Sequence, residues 1–260
     1  MTTQSTATSL AFDRHGAGVP VVLLPGLTFG RGTWWPIVQR LGEGVCSVAV
    51  DLPGQGESAG APGDLAGVAA EVHGLVERLG LEDPVVVGHS ISGRVALIYA
   101  GSYPARGAVT VDFPVSVVAF AELVGRLEPA LRGPGFAQAF APIQRGLGFE
   151  RVPEPLRSRV LAAQDIRQDL VLGYWDELLR SEPEQVQARV DRDAAAVEVP
   201  LLAVFGQALP SDQREHLRRL VPGVQIEEWP DHGHLVHLAD PGRFTARLRE
   251  FIDFCEAHRV

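Results

Sequence analysis

The stretch Pro84-Val85-Val86-Val87-Gly88-His89-Ser90-Ile91-Ser92-Gly93 constrains this chain more than any other. A valine-rich run ends at a glycine, a serine follows among small residues, and an apolar, helix-compatible segment runs from Val95 to Ala100. Strand, sharp turn and helix in that order place Ser90 at the apex of the turn, with its hydroxyl exposed above a sheet edge. Gly88 and the small Ser92 keep the backbone beside the serine free of clashes. A serine held this way points to nucleophilic hydrolysis. The fifth position of the usual Gly-x-Ser-x-Gly pattern is Ser92 instead of glycine, so the rest of the chain has to decide between a nucleophile and an ordinary strand-to-helix turn.

The flanking sequence repeats the same alternation. Val19 to Leu24, Val45 to Val50, the run into Ser90, Gly107 to Asp112, Pro200 to Phe205 and Val224 to Trp229 are strand candidates. A shortened first strand is expected at about Ser9 to Arg14. Thr33 to Leu41 predicts a short helix. Leu65, Val68, Ala69, Val72, Leu75, Val76 and Leu79 share one helical face, with Asp64 as its cap and Gly80 at its end. The last helix opens at Asp240-Pro241 and carries Phe244, Leu248, Phe251, Ile252 and Cys255 on one face. Alternating strands and helices predict an α/β fold: a mostly parallel central sheet with helices on both faces. Between Phe113 and about Val199 the alternation stops, and the sequence reads as helices broken at Pro129, Gly133-Pro134-Gly135, Pro153 and Pro155. The expected organisation is a core of residues 1–112 and 200–260, with a helical cap of residues 113–199 inserted after the strand ending at Asp112.

Composition excludes several function classes. The net charge is −9 and no dense basic run occurs, so nucleic acid is not an expected partner. The sequence contains no lysine, which removes a P-loop lysine, a Schiff-base lysine and a lysine general base. The glycine clusters near Gly26 and Gly54 do not fit Gly-x-Gly-x-x-Gly, against a dinucleotide site. Cys46 and Cys255 stand far apart in apolar contexts and read as buried free thiols. Met1 to Ser9 is polar and lacks a signal pattern, and no apolar run reaches membrane-spanning length. A cytoplasmic location, without a membrane partner, is the expectation.

Four motifs in order make the chain resemble the α/β-hydrolase family: Leu23-Leu24-Pro25-Gly26-Leu27, Asp51-Leu52-Pro53-Gly54-Gln55-Gly56-Glu57-Ser58, the turn at Ser90, and Asp231-His232-Gly233-His234 leading into the last helix. The resemblance implies Ser90 as nucleophile, His234 as general base, and the backbone N–H groups of Leu27 and Ile91 as oxyanion donors. It implies no cofactor. His232, His234 and His237 could also suggest a metal cluster, but the spacing lacks a helix pattern of ligands and no cysteine or carboxylate cluster joins them, so no metal is expected. His89 is expected to pack, and Asp51 to hold the Pro53-Gly54 turn.

The third catalytic member departs from the family's pattern. Its acid usually follows the strand that here is Leu201 to Phe205, but Gly206-Gln207-Ala208-Leu209-Pro210 puts leucine there. Losing the orienting acid costs about 10⁴ in turnover. Asp112, in Val111-Asp112-Phe113-Pro114, is the favoured replacement, because zearalenone-type lactonases carry a similar Glu-Leu-Pro stretch at that strand end. Asp212 is the runner-up, although with Glu215 it also fits a helix cap. Asp231 is near His234 in sequence but suits a turn. Aromatic residues after the oxyanion turn (Phe29, Trp34, Trp35) and in the cap (Phe120, Phe136, Phe140, Phe149, Tyr174, Trp175) suggest an apolar pocket. The expected partner is a hydrophobic small-molecule ester or lactone. Carbon–carbon bond hydrolysis, acyl transfer and perhydrolysis use the same residues, and a ligand-binding protein with little turnover is the reading that Leu209 motivates.

Overall fold

Six strands run parallel, and the inner ones are apolar at nearly every position, as strands buried on both faces require, whereas the edge strand Gln225–Glu228 is polar and half-buried. In the computed structural model, which describes residues 10–258, these strands are β2 (Gly18–Leu24), β3 (Gly44–Val50), β4 (Val85–His89), β5 (Gly107–Val111), β6 (Leu201–Phe205) and β7 (Gln225–Glu228). A short, exposed β1 (Phe12–His15) lies antiparallel to β3 at the edge, in the order β1-β3-β2-β4-β5-β6-β7. The shortened first strand therefore exists, but starts later than its pattern suggests. The polar stretch Met1–Ser9 lies outside the described residues.

Successive residues of each strand point to opposite faces. Val21, Leu23, Val85 and Val87 pack on one face with α1 (Trp35–Leu41) and α12 (Pro241–Ala257). Val22, Leu24, Val86 and Val48 pack on the other with α2 (Leu65–Arg78) and α3 (Ile91–Ser102). The expected helix over Thr33–Leu41 is split: residues 31–34 form a 3-10 turn before α1. Asp64 caps α2 through the Gly67 N–H at 2.7 Å, and Asp240 caps α12 through the Arg243 N–H at 2.9 Å.

Six helices separate β5 from β6: α4 (Val118–Arg132), α5 (Phe136–Arg145), α6 (Leu156–Ala162), α7 (Gln168–Tyr174), α8 (Asp176–Arg180) and α9 (Pro183–Ala195). The insertion has its own apolar cluster around Val124, Leu131, Phe140, Val171 and Trp175. It is tied to the core by buried and partly buried polar contacts. Arg94 on α3 donates to Asp193 of α9 at 2.7 Å and pairs with Glu177 of α8. The Tyr174 hydroxyl donates to the Pro53 carbonyl at 2.9 Å. After β6 come α10 (Ser211–Leu220) and, after β7, the short α11 (Val236–Ala239). Among the described residues no helix is long and apolar enough to cross a membrane.

Candidate active site

Parallel strands bring their carboxyl ends to one edge, and ligands of open α/β sheets bind where the strand order reverses. Here β2 sits between β3 and β4, so the turn after β2 and the turn after β4 flank that reversal. Ser90 occupies the second turn with φ 55° and ψ −128°, a left-handed backbone that side chains rarely adopt. Such strain persists only when its surroundings fix it. The Ser90 N–H donates to the Val111 carbonyl at 2.8 Å, and the Ser90 carbonyl accepts from Gly93 at 2.7 Å. A Cβ at Gly88 would collide with the Ser92 carbonyl, and one at Gly93 would lie 2.5 Å from Phe113, so both glycines are required by close approach.

Ser92, the departure from the usual pattern, has a role in the fold. It is fully buried, and its hydroxyl donates to the Pro25 carbonyl. That bond clasps the serine turn to the Pro25-Gly26-Leu27 turn. A Cβ on Gly26 would lie 3.3 Å from the Ser90 Cβ and 2.7 Å from His89 Nδ1, so only glycine lets the two turns meet.

Asp112 falls just past β5, whose last residue is Val111. Its φ of 48° turns the chain out of the sheet. The carboxylate is satisfied on both oxygens: Oδ1 accepts from the Gly206 N–H at 2.8 Å, and Oδ2 from His234 Nδ1 at 2.7 Å. Burial pushes the carboxyl up, but the hydrogen bond and charge of His234 and the Gly206 N–H outweigh it, holding Asp112 below the usual carboxylate range. With Nδ1–H donated to Asp112, His234 presents Nε2 as an acceptor. Ser90, Asp112 and His234 line one cavity of about 910 Å³.

Two further imidazoles stand behind His234. His89 Nε2 donates to the His234 carbonyl at 2.9 Å, fixing the loop from below. Its ring packs on His237, with centroids 4.6 Å apart, and His237 packs on Trp34 and Phe244. Burial, then His237 and His234, lowers His89 well below the ordinary histidine value. Burial and then His234 lower His237 to about 3. Both rings are neutral packing elements. His232 donates from Nδ1 to the Trp229 carbonyl at 3.1 Å and supports the same loop.

The other sequence candidates fall elsewhere. Asp212 is exposed in the first turn of α10, whose N-cap residue is Pro210 without a side-chain cap bond, so the expected Asp212–Glu215 cap does not form. There its charge only favours the helix dipole. Asp231, almost fully exposed, takes φ 68° in a turn, and its carbonyl accepts from Arg151 of the insertion. Asp51 is structural, but it holds Arg31 and the Glu57 N–H, the latter at 3.0 Å, instead of the Pro53-Gly54 turn. Leu209 is buried with Val115, Phe205 and Leu217. Of the aromatics, Phe29, Phe120, Phe140, Tyr174 and Trp175 line the cavity. Trp34 belongs to the core instead, and Trp35 is exposed beside His15.

Sequence reasoning missed Gly206 and Arg151. A Cβ on Gly206 would strike the Gly233 carbonyl, and the Gly233 N–H donates to the Gly206 carbonyl at 3.1 Å. A glycine ending a strand was the available signal for the first. The Arg151 contact spans 80 residues and leaves no local trace.

Known proteins share this organisation. N-formylmaleamate deformylase of Pseudomonas putida is 25% identical over 253 residues, covering 92% of this chain and 90% of that protein. 2-Succinyl-6-hydroxy-2,4-cyclohexadiene-1-carboxylate synthase of Serratia proteamaculans is 25% identical over 240 residues, covering 89% and 92%. The solved structure of a thermophilic esterase from Thermogutta terrifontis matches with TM-score 0.74 at 26% identity, covering 98% of this chain and 97% of that one. The Alpha/beta hydrolase family model matches residues 21–248. With its serine turn, its sheet order and this match across most of its length, the chain belongs to the alpha/beta hydrolase family.

Proposed function

We propose that this enzyme is a serine hydrolase that cleaves a carboxylic ester or lactone of a hydrophobic small molecule through an acyl-enzyme on Ser90. The observation that carries this is the 2.7 Å bond from His234 Nδ1 to Asp112, on a cavity wall shared with the strained Ser90. In the first half-reaction Ser90 Oγ attacks the acyl carbonyl while His234 Nε2 takes its proton. The Leu27 and Ile91 N–H groups receive the negative charge that develops on the carbonyl oxygen. His234 then returns the proton to the departing alkoxide, which leaves as the alcohol. Water, deprotonated by His234, cleaves the acyl-Ser90 ester and releases the acid. Asp112 stays ionised throughout and balances the imidazolium charge.

The substrate class follows from the walls. Phe120, Phe140, Trp175 and Leu178 of the insertion and Leu27 and Ile91 of the core line the cavity, which suits an apolar group of drug-like size. The named esterase among the similar structures supports ester cleavage, and a lactone is an internal ester. The deformylase and the synthase show that this scaffold also serves other chemistry, so a panel of esters, lactones, thioesters and vinylogous diketones separates hydrolysis of C–O bonds from carbon–carbon cleavage. Leu209 motivates a ligand-binding protein with little turnover. The Asp112–His234 pair supports the hydrolase reading over it.

A fluorophosphonate probe tests the reading. Wild-type protein labels at Ser90, seen by peptide mass spectrometry, and Ser90→Ala does not label. A folded wild type that stays unlabelled while hydrolysing no ester or lactone contradicts it.

A further inference from the structure

Thr28 follows Leu27 in the turn after β2, in a backbone that suits threonine poorly. The Phe29 N–H donates to the Gly26 carbonyl at 3.2 Å, closing a four-residue turn whose third residue, Thr28, has φ 71°. A positive φ at that place makes a type II turn, which favours glycine or asparagine. For a β-branched residue it is an outlier that the surroundings must enforce.

The enforcing contacts are all present. Thr28 is buried, and each of its polar groups is engaged. Its N–H donates to Gln55 Oε1 at 2.7 Å. Its carbonyl accepts from the Asp165 N–H at 2.9 Å. Its Oγ1 accepts from Gln164 Nε2 at 2.9 Å, and Gln164 Oε1 accepts from Gln144 Nε2 of α5 at 3.0 Å. Gln55 belongs to the core loop after β3, whereas Gln164 and Asp165 join α6 to α7 in the insertion. The Gln55 amide nitrogen is buried with no hydrogen-bond partner among the described residues. The amide is oriented for Thr28 at its own cost. The side chains of Leu27 and Ile91 also pack against the insertion's apolar cluster.

We propose that Thr28, held by Gln164 of the insertion, is a positioning residue for the oxyanion site. The proposal rests on the assignment of the Leu27 and Ile91 N–H groups as the oxyanion donors. Thr28 lines the cavity, and the role proposed for it runs through the turn and not through contact with the substrate. It keeps the turn in its type II form, and the frame of that turn sets where the neighbouring Leu27 N–H points. Relaxation toward a type I turn would flip the central Leu27–Thr28 peptide and shift Leu27. An oxyanion donor acts on charge that exists only in the transition state, so its displacement reduces kcat more than substrate binding. The insertion thereby does more than wall the pocket, because its hydrogen bonds to Thr28 help assemble the reaction centre.

The test uses Thr28→Val, Thr28→Ser and Gln164→Leu in the full chain. Gln164 does not line the cavity, so its variant leaves the substrate's surroundings in place. Steady-state kinetics on a p-nitrophenyl ester are compared with inhibition by an alkyl trifluoromethyl ketone, which forms a hemiketal oxyanion on Ser90, and by the chain-matched alcohol, which cannot. In Thr28→Val and Gln164→Leu, kcat falls about tenfold or more, a part of the loss that removing a donor outright causes. KM stays within about twofold, as expected for an interaction made only in the transition state. The ketone weakens by the same factor as kcat, and the alcohol does not weaken. Thr28→Ser keeps Oγ1 and stays near wild type. Should Thr28→Val not fold, Gln164→Leu decides. Unchanged kcat in Gln164→Leu, or equal weakening of ketone and alcohol, overturns the proposal. A wild type that fluorophosphonate does not label strikes the hydrolase reading instead, so the two failures are told apart.

Discussion

Strands β5 and β6 are neighbours in the sheet, with Val111 opposite Val204, and both end beside the loop that carries His234. At the end of β5 the chain turns through Asp112, whose carboxylate meets His234 at 2.7 Å. At the end of β6 the loop offers no carboxylate. Leu209 there is buried with Phe205 and Leu217, and its N–H donates to Glu228 at 3.2 Å. What β6 contributes is the Gly206 N–H, aimed at the other Asp112 oxygen at 2.8 Å. The difference teaches that the carboxylate facing the imidazole comes from the end of β5, while the end of β6 contributes a backbone donor that holds it. Once β5 supplies it, the end of β6 is free to pack as core.

Asp112→Asn is the largest expected break in this comparison. Turnover falls by about 10⁴ while the fold is retained, because an amide neither fixes the tautomer nor balances the imidazolium. Steady-state kinetics beside circular dichroism check it. Moving the acid to the neighbouring strand, in Asp112→Asn with Leu209→Asp, leaves turnover within about tenfold of Asp112→Asn alone, because the new carboxylate starts from a packed, apolar position. It also costs about 3 kcal/mol of stability for the buried charge, read by urea unfolding. Recovery of turnover in the double variant would show that the two strand ends are interchangeable in this chain.

Gly206→Ala sharpens the β6 side. Its Cβ would strike the Gly233 carbonyl, pushing the histidine loop away from Ser90. Displacement of about 1 Å costs on the order of 10²-fold in kcat. A smaller effect concerns the imidazoles behind His234. His89 and His237 are neutral in the fold, with His237 lowered to about 3 mainly by burial. The unfolded chain therefore binds more protons below about pH 6.5, and stability falls as pH drops through that value toward 3. His237 contributes about 1.4 kcal/mol per pH unit in that window. His237→Phe removes this contribution and makes melting temperature less dependent on pH between 4 and 6, measured by thermal unfolding.

Much of the site was legible because its signals are local. The Ser90 turn, the caps at Asp64 and Asp240 and the apolar strand runs each rest on neighbours in sequence. Asp112 became readable through the gap left at Leu209, a contrast between two strand ends within one sequence. What escaped is nonlocal or contrary to propensity. Thr28 carries no signal for φ 71°, since β-branched residues avoid that region and only contacts from Gln55, Gln164 and Asp165 hold it there. The Ser92–Pro25 clasp joins residues 67 apart and looked like an imperfect motif. Asp212 with Glu215 resembles a cap because both suit a first turn, but the N-cap of α10 is Pro210, two residues earlier.

The central claim is that Asp112, and no other carboxylate, orients His234. Proton NMR of ¹⁵N-histidine-labelled protein reads this directly through the His234 Nδ1 hydrogen. The expected result is a hydrogen-bonded resonance well downfield of the amide region in wild type and in Asp212→Asn. In Asp112→Asn it moves strongly upfield or disappears. Persistence of that resonance unchanged in Asp112→Asn, or its loss in Asp212→Asn, would contradict the claim.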